Sequence, residues 1–144
     1  MPATLERPIA LTPAEIEGFL ENGFLVKKNL LSPKTIDLLK GDFEKIATGG
    51  YPAATFPPVP PEIGRSVFES ILCVHQPQWI SPVIMDFVKH PALTGILSQV
   101  TGAHLPWWDG SVKCMQSMFF VKPPGFPGQA WHHDEIYIPT RDRS

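Results

Sequence analysis

A histidine and a carboxylate stand two positions apart near the C-terminus, in the segment Trp131-His132-His133-Asp134. On a β-strand, side chains at positions i and i+2 point to the same face, so His132 and Asp134 would project together while His133 points away. Such a pair is two thirds of a 2-His-1-carboxylate site, which leaves coordination positions on Fe(II) open for other ligands. The spacing alone is compatible with several metals or with none. A third ligand would have to come from a later strand, and the sequence ends at Ser144.

The residues around this segment predict the strands that would carry it. Residues 111–122 are rich in Val, Met and Phe and contain no breaker, and Pro123-Pro124-Gly125 ends the run. Residues 125–128 predict a turn and residues 131–138 a second strand. Since helical patterns occupy the earlier part of the chain, helices come first and strands last. This order predicts an α+β protein whose sheet is only beginning when the sequence ends.

Cap signals predict the helices of the N-terminal part. Thr12-Pro13-Ala14-Glu15 is a capping box with proline at the first helical position, and Gly23 ends this helix. Further helices are expected to begin after Ser32, after Ser81 and near Pro91. A short strand is predicted over residues 24–26. The Pro-rich residues 51–65 predict an exposed loop that either borders a site or simply connects two elements.

Composition and charge restrict the class of protein. A chain of 144 residues with 43% hydrophobic content is expected to form a single domain over residues 1–144 with a sizeable core. A net charge of -2 and scattered basic residues argue against a nucleic-acid partner. No apolar run has the length of a membrane span or a signal core, so we expect a cytoplasmic protein without a membrane partner. Cys73 and Cys114 are expected to be buried thiols rather than a disulfide.

In this context the sequence resembles the phytanoyl-CoA dioxygenase family of Fe(II)- and 2-oxoglutarate-dependent oxygenases. The opening residues 11–24 are similar to the usual start of that family. The more specific matches lie later, at Gln116-Ser117-Met118, Lys122-Pro123-Pro124-Gly125, Trp131-His132-His133-Asp134 and Tyr137 with Pro139. The resemblance implies a helical region over about residues 1–103. A truncated double-stranded β-helix (jelly-roll) core would then begin over about residues 111–144.

The resemblance also implies roles for individual residues. His132 and Asp134 would be two iron ligands, and Met118 and Gln116 would line the pocket of the cosubstrate 2-oxoglutarate. Met118 could equally be an ordinary core residue. His133 stands where the family commonly has glutamine, and we expect it to form a hydrogen bond or to pack in the core. The family's distal histidine and its 2-oxoglutarate-binding arginine would lie beyond the last residue.

The implied reaction is hydroxylation of a small organic substrate by molecular oxygen, coupled to oxidative decarboxylation of 2-oxoglutarate. The apolar residues 51–61 and the pair Trp107-Trp108 favour a hydrophobic substrate. Two protein ligands hold Fe(II) less well than three, so we expect little turnover from these 144 residues alone. The alternative is a non-catalytic truncated remnant or isoform that acts through packing or partner binding. A zinc hydrolase is disfavoured because no HExxH segment accompanies the pair.

Overall fold

A computed structural model describes residues 9–52, 69, 73–122, 124–125 and 127–134 of the chain. Four α-helices and two strands make up its regular structure. In chain order these are α1 (Pro13–Asn22), α2 (Pro33–Ala47), β1 (Cys73–His75), α3 (Pro82–Val88), α4 (Pro91–Val100) and β2 (Met118–Phe120). A short 3-10 helix, Pro77–Trp79, lies between β1 and α3. The predicted α+β class is confirmed.

The predicted capping box at the start of α1 is confirmed. The backbone N–H of Glu15 donates to Thr12 Oγ1 at 3.3 Å, and the backbone N–H of Thr12 donates to Glu15 Oε2 at 2.8 Å. Gly23 ends the helix with a φ of 78°, a left-handed conformation that glycine adopts without steric cost. Local hydrogen bonds therefore set both ends of this helix.

The other three helices begin where their cap residues predict. Ser32 accepts the N–H of Thr35, and Ser81 accepts those of Val83 and Ile84. At α4 the cap is a histidine, because His90 Nδ1 accepts the N–H of Ala92 at 3.2 Å. Each helix has proline in its first turn, where the missing N–H needs no partner.

The strand predicted over residues 24–26 is wrong. These residues have no regular structure, and the side chains of Phe24 and Val26 are 65% and 69% exposed. A strand is stabilised by pairing with a neighbour, and among the described residues β2 pairs with β1 alone. An apolar triplet without such a neighbour stays irregular.

The predictions of the two C-terminal strands are also wrong over most of the residues that can be compared. Of residues 111–122, only Met118–Phe120 form a strand, because the partner β1 is three residues long. Residues 131–133 have no regular structure and Asp134 lies in a 3-10 turn, so the strand predicted over 131–138 is wrong for its first four residues. Residues 135–138 lie outside the described residues, as does most of the predicted loop over residues 51–65. Strand β1 was not predicted.

The sheet has one buried face and one open face. Strands β1 and β2 pair antiparallel, with Cys73 opposite Phe120, Val74 opposite Phe119 and His75 opposite Met118. Val74 and Phe119 face α2, where they pack with Ile46 and its neighbours. Because side chains alternate along a strand, Cys73, His75, Met118 and Phe120 belong to the opposite face. That open face is the side on which the candidate site lies.

Two small cores hold these elements together. The first lies between the sheet, α2 and α3, and its fully buried members are Ile46, Ala47, Val74 and Ile84. The second joins α4 to the N-terminal segment through Leu11, Ile96 and Val100. Gln99 reinforces this second contact, since its side chain accepts the N–H of Leu11 and donates to the carbonyl of Ile9, each at 2.9 Å.

No helix in the described part of the chain is long and apolar enough to cross a membrane.

Candidate metal centre and the adjoining groove

The two side chains singled out by their spacing lie together. His132 Nε2 is 3.3 Å from Asp134 Oδ1, although the backbone that joins them is irregular rather than a strand. The imidazole is 25% exposed and the carboxylate 85% exposed. The pair therefore stands at the surface, where a small ion can reach both atoms.

A backbone carbonyl orients the imidazole. His132 Nδ1 lies 2.8 Å from the carbonyl oxygen of Ala130. A carbonyl oxygen can only accept, so Nδ1 carries a proton, and Nε2 is the ring nitrogen that is left to bind a metal. Metal-binding histidines usually donate their other ring N–H in this way, which fixes the tautomer and the ring orientation. The sequence pattern did not reveal this acceptor, because any backbone carbonyl can supply it.

The geometry of the pair fits a divalent metal ion. Two ligand atoms that are each about 2.1 Å from a metal and lie at about 90–105° to one another are about 3.0–3.3 Å apart. The observed separation of His132 Nε2 and Asp134 Oδ1 is 3.3 Å. A neutral imidazole nitrogen and a carboxylate are also a donor set that Fe(II) accepts. The residues present therefore suit two positions of a facial site.

Within the described part of the chain, no third His, Cys, Asp or Glu joins the pair to form a metal-binding group. His133 lies between the two residues in sequence but is exposed, so a core position is wrong for it and a hydrogen-bonding role stays a prediction. The described residues thus provide two ligand positions.

The predicted cosubstrate residues are on β2 and in the segment just before it. Met118 is at the start of β2 on the open face of the sheet and is 43% exposed. Gln116 is half-buried, and its Nε2 is 3.4 Å from His75 Nδ1 across the sheet. Both residues border the same groove as Asp134. The structure brings three of the four predicted site residues to one groove, and Asp134 links the fourth, His132, to it.

This groove has a volume of about 870 Å³ and runs between the α3–α4 helices and the segment before β2. Its walls are mostly apolar, and Trp79 and Phe87 are its aromatic residues. Trp107 and Trp108, which were expected to favour a hydrophobic substrate, do not line it. Trp108 instead packs across Gly102 and donates from Nε1 to the carbonyl of Ser111 at 3.0 Å.

A buried glutamine ties the two sides of the groove together. Gln78 is 6% exposed, and its side-chain carbonyl accepts a hydrogen bond from the hydroxyl of Ser117, the residue between Gln116 and Met118. The backbone N–H of Gln76 donates to the carbonyl of Ser117 at 2.9 Å. Sequence reasoning missed this network, because polar residues 39 positions apart along the chain carry no shared pattern.

The two cysteines are free thiols, as predicted, but neither is fully buried. Cys73 is half-buried, and partial burial raises the pKa of its thiol by disfavouring the thiolate. Cys114 is exposed and borders the groove.

Comparisons with known proteins place the chain among oxygenases. Residues 19–144 match the family described as phytanoyl-CoA dioxygenase (PhyH). A curated relative, an ectoine dioxygenase from Bordetella parapertussis, is 28% identical over 127 residues, which cover 87% of this chain and 37% of the relative. The chain therefore spans little more than a third of the length of that relative. No solved structure matches the chain.

Proposed function

Because the chain belongs to the phytanoyl-CoA dioxygenase family, we propose that the protein is an Fe(II)- and 2-oxoglutarate-dependent oxygenase that hydroxylates a small organic substrate. The observation that carries the proposal is the distance of 3.3 Å between His132 Nε2 and Asp134 Oδ1 beside a groove. An imidazole and a carboxylate held at this separation can share one metal ion. The described residues supply two of the three protein ligands that this chemistry requires.

Each residue of the pair has a separate task. When bound, Fe(II) supplies the chemistry that activates oxygen and couples oxidation of 2-oxoglutarate to hydroxylation. Asp134 contributes a negative charge that offsets that of the dication. His132 contributes Nε2, and the carbonyl of Ala130 keeps the proton on the other ring nitrogen. The pair thereby presents both ligand atoms before the metal arrives.

The cosubstrate would lie on the open face of the sheet, next to the metal pair. The amide of Gln116 can donate a hydrogen bond to a carboxylate of 2-oxoglutarate. His75 contacts that amide at 3.4 Å and restricts its orientation. The thioether of Met118 supplies an apolar wall against the methylene groups of the cosubstrate.

The substrate would occupy the remainder of the groove. Its mostly apolar walls offer contacts to the hydrocarbon part of a substrate. The curated relative is named for a dioxygenase of ectoine. For the present chain the apolar lining favours a more hydrophobic substrate, with 2-oxoglutarate and molecular oxygen as the other reactants.

Metal titration of the 144-residue chain tests the proposal. Binding of Co(II), a spectroscopically visible substitute for Fe(II), would be followed by visible absorption and by calorimetry. His132→Ala and Asp134→Ala should each weaken binding by at least about tenfold. His133→Ala is the matched control, because this exposed neighbour is outside the pair, and should bind like the parent chain. Equal affinities in all four proteins would contradict the proposal and favour the non-catalytic alternative.

A further inference from the structure

The charges of the groove are distributed unevenly. Its charged lining residues within the described part of the chain are Lys89, Lys113 and Asp134. With Asp134 assigned to the metal, the two charges that remain are both positive. The rest of the groove therefore favours an anionic group on its ligand and disfavours a cationic one.

The two lysines come from different segments and are available for a ligand. Lys89 follows the last residue of α3, and Lys113 lies in the irregular segment before β2. Both are exposed, and neither is in a salt bridge with any residue that the structure describes. An ammonium group with no carboxylate partner does not have to break an ion pair when it binds a ligand. The cost is limited to side-chain freedom and part of its hydration.

The other lining residues of the groove favour a ligand with an apolar body. Leucine, methionine, valine and aromatic side chains line most of the groove, among them Trp79, Met85, Leu93, Leu97 and Met115. Trp79, Leu97 and Met115 are 74%, 47% and 61% exposed, so this surface is open to a ligand. Covering apolar surface contributes about 25 cal/mol per Å² removed from water. A volume of about 870 Å³ is within the range of small-molecule sites.

From these observations we propose that Lys89 and Lys113 are specificity-determining residues that select an apolar substrate bearing an anionic group. The groove binds the apolar body, the ammonium groups bind the anion, and Asp134 marks the end at which the reaction occurs. This substrate class rests on the proposed oxygenase function. A compact zwitterion or an amine is a poor ligand, because the groove has no second carboxylate among its described residues to receive a cation.

Three probes that share one apolar body test the charge preference. Decanoate, decanol and decylammonium would each compete with a dansyl-labelled undecanoate for the metal-free Asp134→Asn chain, in which the charge assigned to the metal is absent, followed by fluorescence. We expect decanoate to bind best and decylammonium worst, and the preference for decanoate to shrink with added salt. Equal affinities for the three probes, or a preference for decylammonium, would overturn the proposal.

Lysine variants test the assignment to residues. Lys89→Met and Lys113→Met keep most of the length of the side chain and remove its charge, and each should weaken decanoate binding about two- to fivefold without affecting decanol. Lys40→Met, at an exposed position of α2 away from the groove, is the control and should have no effect. Loss of 2-oxoglutarate binding with decanoate binding intact would assign the lysines to the cosubstrate and overturn the proposal.

The same preparations separate this inference from the proposed function. If decanoate binding depends on the lysines but Co(II) does not bind at His132 and Asp134, the anion-selective groove is supported and the proposed oxygenase function is contradicted. Co(II) binding without a preference for decanoate would support the oxygenase and contradict the substrate class.

Discussion

The rings of Phe43 on α2 and Phe119 on β2 stack with their centroids 3.6 Å apart and an interplanar angle of 16°. This contact attaches the small sheet to the longest described helix. Because Phe119 points inward, its neighbours Met118 and Phe120 point to the open face that borders the groove. The stack thus stabilises the fold and determines which β2 side chains face the candidate site.

Removing this stack should cost stability. We expect Phe119→Ala to lower the free energy of unfolding by about 2–3 kcal/mol, because it leaves a cavity and exposes Phe43. Phe120→Ala is the matched control: this side chain is on the other face and 42% exposed, so the loss should be below about 1 kcal/mol. Urea unfolding of the three proteins measures both values. A similar loss in both variants would mean that the two faces of β2 are not distinguished as the structure indicates.

A buried carboxylate should be a second centre of stability. Asp42 is 6% exposed and accepts hydrogen bonds from Tyr51 Oη at 2.7 Å and from the hydroxyl of Ser81, the cap of α3. Asp42→Ala leaves both donors without this acceptor, and we expect a loss of about 3 kcal/mol in thermal or urea unfolding. Asp37→Ala, at an exposed position of the same helix, should change stability by less than about 0.5 kcal/mol. An equally small loss for Asp42→Ala would show that the cluster contributes nothing.

The helices could be predicted because the signals that begin and end them are local. Thr12 and Glu15 cap α1 across three residues, and Ser32 and Ser81 do the same for α2 and α3. Strands depend on partners that may be distant in sequence, and the apolar residues 24–26 have no strand partner among the described residues. Propensity alone therefore overestimated the strands.

His132 and Asp134 lie close together, but not for the reason on which the prediction was based. The alternation of side chains along a strand predicted that His132 and Asp134 lie together. The observed contact instead arises in an irregular segment in which the imidazole is hydrogen-bonded to the carbonyl of Ala130. The groove could not be predicted, since residues from Gln78 to Leu97 meet residues 112–118 through tertiary packing. The lysines of the groove look like ordinary surface residues in the sequence.

One surface ion pair should make stability depend on acid pH. The hydrogen bond from Lys27 Nζ, at 2.6 Å, and those from Thr12 lower the pKa of Glu15 from 4.5 to about 2. A folded-state pKa below the unfolded value stabilises the fold above pH 4.5, and this contribution disappears as the pH falls through about 2. The melting temperature of the parent chain should therefore exceed that of Glu15→Gln above pH 4.5, and the two should converge towards pH 2.

The control for this pH dependence is Glu17→Gln, which removes an exposed carboxylate of the same helix that forms no described salt bridge. Its melting temperature should follow that of the parent chain across the titration. A gap between the parent chain and Glu15→Gln that persists at pH 2 would show that the effect comes from the shape of the side chain rather than from its charge.

Because Gln116 and Asp134 line the same groove, we expect substitutions of Gln116 to have graded effects on cosubstrate binding. At neutral pH 2-oxoglutarate is a dianion, and the amide of Gln116 can donate to it. Gln116→Leu should weaken binding by about tenfold, because a hydrogen bond to a charged group is lost. Gln116→Glu should weaken it further, because a like charge then faces the dianion, and Gln116→Lys should restore part of the affinity. Calorimetric titration of 2-oxoglutarate into the Co(II)-loaded chain measures the series, and urea unfolding confirms that each variant is folded. We expect the affinity for 2-oxoglutarate to decrease in the order glutamine, lysine, leucine, glutamate at position 116. Any other order would contradict the assignment of Gln116 to the cosubstrate pocket, but not the assignment of His132 and Asp134 to the metal.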